Sequence, residues 1–143
     1  MNNIEKITYD RIEFSYSWFE GSDGVYVTGK YKTGIYIGEV VEERGERTLL
    51  QVKAVKKHPM QGDLHQGFAT DVPLFHQRNA LAYLEKAWVP TVTVKAYSDD
   101  LPSYEESLHE AVEAEISKME KREDEFGEKA LSSLKELQTR YEK

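Results

Sequence analysis

The amino-acid sequence predicts an α+β protein, a small barrel-like β-sheet followed by an acidic α-helical hairpin. Three observations carry that expectation. Residues 25–97 hold short β-branched and aromatic runs broken by glycine-bearing turns. After Leu101-Pro102 the apolar period changes from two residues to three or four. The charge changes at the same place: residues 100–143 carry 13 acidic and 7 basic side chains, residues 1–99 carry 13 and 12.

The elements follow in order. Ile12, Phe14, Tyr16 and Trp18 alternate with polar residues, the period of a half-buried strand, before a turn or linker at Gly21-Ser22-Asp23-Gly24. A lone strand is not stable, so residues 1–23 read as an N-terminal extension or an extra strand. Residues 24–99 are expected to form the barrel. Val25-Tyr26-Val27 opens it, Lys32-Thr33-Gly34 turns, and Ile35 to Val41 returns. Glu43-Arg44-Gly45-Glu46 then connects to a strand from Thr48 to Val55, with Leu50, Val52 and Ala54 on one face. Gly29, Gly34 and Gly38 mark the bends or bulges that a strongly curved sheet needs. His58 to Asp71, with Pro59, Gly62 and Gly67, is a long connection of the kind that more often carries function. Strand character returns at Val72–Phe75, Ala80–Tyr83 and Thr91–Val94.

Residues 100–143 are helical by pattern. Ser103 and Glu106 have capping-box spacing. Tyr104, Leu108, Val112, Ile116 and Met119 form one stripe, with Glu115 inside it, which predicts a shallow or partly buried face. Phe126, Ala130, Leu134, Leu137 and Tyr141 form a second stripe, with Asp124 placed to cap it. The short connection favours an antiparallel hairpin.

Composition narrows the function. With 143 residues and 39% hydrophobic content, the core is modest, so the two parts are expected to pack on each other or on a second copy. The absence of cysteine excludes disulfides, thiolate metal sites, a cysteine nucleophile and an acylated cysteine, and fits a reducing cytoplasm. The N-terminus lacks a signal-peptide core, and no apolar run reaches membrane-spanning length. The acidic C-terminal part, within a net charge of −7, repels phosphate backbones.

The richest chemistry lies in Lys56-Lys57-His58-Pro59-Met60-Gln61-Gly62-Asp63-Leu64-His65 and Phe75-His76-Gln77-Arg78. His58, His65, His76 and Asp63 are metal-ligand types, but they lack helical or knuckle spacing. The plainer reading has His58 and His65 bonding loop backbone, with Asp63 closing an Asx turn. A hydrolytic reading takes His76 as general base and Asp63 as its orienting partner, yet no thiol or elbow serine is present. Lys53, Lys56 and Lys57 beside aromatic residues suggest single-strand binding, though three lysines usually mark a solvated strand end. Gly29, Gly34 and Gly38 match no phosphate-binding fingerprint, and no cofactor is expected. Tyr31, Tyr36, Tyr83 and Tyr97 either expose phenols at an interface or line an amphipathic rim. Glu105, Glu106, Glu110, Glu113 and Glu120 form a solvated face or dock a basic partner. The sum is a non-enzymatic interaction protein with no catalytic residue and no bound metal.

The stretches Tyr31-Lys32-Thr33-Gly34, Tyr36-Ile37-Gly38-Glu39-Val40 and Ala54 to His65 resemble the kinase-associated protein B family, also called kinase-associated lipoprotein B. Asp71 to Arg78, Ala80 to Tyr83, Val89-Pro90, Val94-Lys95 and Leu101 to Leu108 extend the resemblance over residues 24–143. It implies an SH3-like barrel followed by helices. It also implies an accessory role that promotes a membrane sensor histidine kinase feeding the sporulation phosphorelay. No catalytic residues come with the family, so His58, Pro59, Gln61, Gly62, Asp63, His65, Phe75 and His76 are carried over as a partner-binding surface. Without a cysteine to lipidate, the chain is expected in the cytoplasm, reaching a membrane only through its partner. Nucleic acid is not an expected partner, and a homodimer through the helices or the N-terminal arm is compatible with the pattern.

Overall fold

The computed structural model describes residues 25–62 and 75–142. The expected strand at residues 12–18, the run at 72–74, and Asp63 and His65 lie outside them. Five antiparallel strands are followed by two helices: β1 Tyr26–Tyr31, β2 Gly34–Arg44, β3 Arg47–Lys57, β4 Lys86–Pro90, β5 Lys95–Tyr97, α1 Tyr104–Glu120 and α2 Glu125–Tyr141. The sheet order is β4-β3-β2-β1-β5.

Two-residue turns make the first two hairpins. Tyr31 pairs with Gly34 around Lys32-Thr33, and Arg44 pairs with Arg47 around Gly45-Glu46. Such turns need positive φ to match strand twist; Gly45 supplies it at 60°, and Lys32 adopts it at 55°. The bulges expected from the glycines are present in β2, where register shifts fall at Ile35/Tyr36, Ile37/Gly38 and Val40/Glu42. At Gly38 the backbones meet so closely that a Cβ would lie 2.0 Å from the Gln51 carbonyl oxygen. The bulges curl the sheet until β1 faces β4, which it does not pair with. A Cβ on Gly29 would come within 3.1 Å of Val89 in β4. The result is a bent, open sheet, roughly SH3-like, and not a closed barrel.

Two strand expectations are corrected. Ala80 and Leu81 join no ladder; the chain there is irregular, and Leu84 turns it with φ 69°. The strand is instead Lys86–Pro90, whose Ala87 and Val89 face inward. Thr91–Thr93 forms a 3₁₀ turn, because the Thr93 hydroxyl donates to the Pro90 carbonyl (2.7 Å) and the Thr91 amide to Glu46 O (2.8 Å).

Both helix starts are as the caps predict. The Ser103 hydroxyl accepts from the Glu106 amide (3.1 Å), and the Asp124 carboxylate accepts from Gly127 N (2.9 Å). Sheet and hairpin share their apolar contacts. Leu108 and Ala111 of α1 join Val27, Leu50, Val52 and Val89. Further along, Val112, Ile116 and Met119 turn to Phe126, Ala130 and Leu134 of α2. Because α1 is covered by β3 on one side and α2 on the other, its buried arc is wide. Glu115 is therefore buried with the stripe (4% exposed), not at a shallow face.

Candidate functional site: the joint between sheet and hairpin

Strand β3 ends where His58 meets Pro59, which has no amide hydrogen to continue a ladder. From there residues 58–62 run inward between the sheet and the helices. His58 is fully buried. Its Nδ1 lies 3.0 Å from the Pro59 carbonyl and its Nε2 2.9 Å from the Tyr141 hydroxyl. A carbonyl only accepts, so Nδ1 carries the proton and Nε2 accepts from Tyr141. That hydroxyl in turn accepts the Ala80 amide at 3.1 Å. Burial pushes the His58 imidazole down to about 4, so it is neutral at pH 7.

Gln61 is buried and uses both ends of its amide. Its NH₂ donates to the carbonyls of Pro59 (3.1 Å) and Arg78 (3.0 Å). Its oxygen accepts from the Arg78 amide and the Ser133 hydroxyl, each at 2.8 Å. One side chain thus ties β3's exit, the returning segment 76–78 and α2. The neighbouring segments also bond directly: the Gly62 amide donates to His76 O (2.8 Å), and the Arg78 side-chain Nε to Gly62 O (2.9 Å). Gly62 has φ 99°, and a Cβ there would meet Phe75 at 3.1 Å and Phe126 at 3.2 Å. Those two rings pack 5.6 Å apart.

Tyrosines complete the joint. The Tyr36 hydroxyl accepts the Leu81 amide (3.2 Å), and the Tyr104 hydroxyl donates to the Leu81 carbonyl (2.7 Å). With Tyr141 on Ala80, phenols from β2, α1 and α2 hold residues 80–81 in place of a strand partner. Burial raises Tyr36 and Tyr104 to about 12 each, so both hydroxyls remain protonated across the physiological range.

The structure therefore brings together His58, Pro59, Gln61, Gly62, Phe75 and His76, but mostly turned inward. His58, Pro59, Gln61 and Gly62 are buried; Phe75 is half-buried; His76 alone is exposed. The expectation of a displayed ribbon needs that correction, and the reason is physical: the polar atoms of His58 and Gln61 are consumed by internal hydrogen bonds. Tyr36, expected among exposed phenols, is 1% exposed. Lys53, Lys56 and Lys57 do not form one patch. Lys53 lies over Tyr83, Lys56 over Tyr97, and Lys57 reaches the Thr33 carbonyl. Among the described residues, no three His, Asp or Glu side chains converge to hold a metal ion. Both ring nitrogens of His58 are engaged, so its chemistry here is hydrogen bonding. The residues that sequence reasoning missed are Tyr104, Tyr141 and Ser133. For the two tyrosines the signal was a surplus of that residue, nine in all; Ser133 carried none.

Fold and joint together define a small sheet-plus-hairpin protein whose richest polar motif fastens its two layers. Comparison with known proteins gives the lineage. The family model described as kinase-associated protein B matches residues 31–142. The chain is 44% identical over 118 residues to the kinase-associated lipoprotein B of Bacillus subtilis strain 168, covering 82% of this chain and 92% of that one. It also matches the crystal structure of kinase-associated protein B from Bacillus cereus with a TM-score of 0.71 and 38% identity, covering 84% of this chain and 96% of the other. The chain belongs to the kinase-associated protein B family. Among the described residues, no helix is long and apolar enough to cross a membrane.

Proposed function

We propose that this chain is a non-enzymatic accessory protein that binds a sensor histidine kinase and promotes its activity in a sporulation-type phosphorelay. The observation that carries this is the 44% identity, over most of both chains, to a protein named for its association with a kinase. The internal geometry supports a binding role. The histidine–proline–glutamine–glycine motif is spent on rigidity, which lowers the entropy cost of presenting a surface to a partner. Partner contact in this reading falls on the surface the joint holds up, with exposed His76 as its nearest accessible member. Residues 24–99 and 100–143 act as one unit. In this reading any approach to a membrane runs through the kinase.

The test is direct. Crosslinking in the native cell, followed by identification of the attached proteins, is expected to recover a sensor histidine kinase. The purified kinase is then expected to autophosphorylate faster with the chain than without it. Unchanged autophosphorylation of the recovered kinase, or recovery of no kinase, contradicts the proposal.

A further inference from the structure

A cleft of about 560 Å³ opens at the β1–β5 end of the sheet, lined by none of the joint residues named above. Its walls include Lys30, Lys56, Lys95, Val92, Tyr97 and Asp99. All three lysines are exposed, and among the described residues none pairs with a carboxylate. The cleft therefore gathers three cations and one carboxylate in a chain whose net charge is −7. Unpaired like charges lining one cavity repel one another, and with three lysines against one aspartate the cleft's net positive field acts on an incoming ligand. At the rim stands Val92, 90% exposed, an apolar side chain with nothing to cover it. Two of the lining residues meet directly, the Lys56 ammonium lying 5.9 Å from the centroid of the Tyr97 ring.

We infer that this cleft docks an acidic, amphipathic segment of a protein partner, whose carboxylates meet Lys30, Lys56 and Lys95 and whose apolar side chain covers Val92. Charge complementarity selects the class of ligand. A nucleic acid is disfavoured by the acidic hairpin and gains nothing from Val92. The inference rests on the reading that the protein works by binding a partner, and it adds a second contact surface to the one the joint holds up.

The test uses the full chain and a fluorescent peptide of alternating glutamate and leucine, with a glutamine-for-glutamate twin and a single-stranded DNA as comparisons. The glutamate peptide is expected to bind, to weaken as salt rises, and to shift the amide resonances of β1 and β5. Lys30→Glu/Lys95→Glu is expected to bind it about tenfold more weakly, with an unchanged melting temperature. Lys56→Gln, a milder change, should show the same direction. Equal affinity in the variants, no binding at low salt, tighter binding of the DNA, or self-association through a second copy's acidic hairpin overturns it. The kinase reading is separated by one further measurement. If the double variant still accelerates the recovered kinase as the wild type does, the cleft is not the docking site, while the accessory role stands.

Discussion

His58 shows how far a residue's surroundings decide its use. Three histidines and an aspartate in one stretch suggest ligands or a surface, yet the described part of the motif turns inward because Tyr141 waits there, 83 positions later in the chain. No local pattern signals that meeting. Its consequence is acid sensitivity. The unfolded chain protonates this imidazole near pH 6.5, the folded chain only near 4. Between those values the unfolded state binds more protons, so stability falls as pH drops through the window, by about 2 kcal/mol at pH 5. Denaturant unfolding at pH 7 and pH 5 is expected to show that loss, and a His58→Gln variant to show less of it. Tyr141→Phe removes a hydroxyl that serves both Ala80 N and His58 Nε2, and calorimetry is expected to find a cost of about 1–3 kcal/mol. Gly62→Ala places a methyl group against two phenyl rings at positive φ, and a similar loss is expected in urea melts.

At the scale of elements, the legible features were those with local causes. The caps at Ser103 and Asp124, the turn at Gly45 and the bulges near Gly38 were all readable, because each is settled by neighbours in sequence. Ser103→Ala is expected to cost about 1 kcal/mol of stability, as cap removal generally does. The failures share the opposite cause. Ala80–Tyr83 has the composition of a strand, but its backbone is taken by phenols from β2, α1 and α2. Lys86–Pro90 ends on a proline, which this strand tolerates because it lies at the edge of the sheet. The shallow helix face inferred from Glu115 failed for a tertiary reason as well, since α1 is covered from two sides.

For the whole molecule, the central claim is that residues 58–62 and 75–81 weld sheet and hairpin into one cooperative body. The apolar contacts agree, because α1 divides its buried face between the sheet and α2. The family resemblance read from the motif was legible; the motif's structural duty was not, because burial is a property of the assembled fold. Native-state hydrogen exchange on the intact chain, followed amide by amide, tests the weld most directly. The amides of Gly62, Arg78, Ala80 and Leu81 are expected to exchange only with global unfolding, at the same free energy as the centres of β3 and α1. If those four exchange freely, or if the helices open while β2 and β3 stay protected, the two layers are not joined as described.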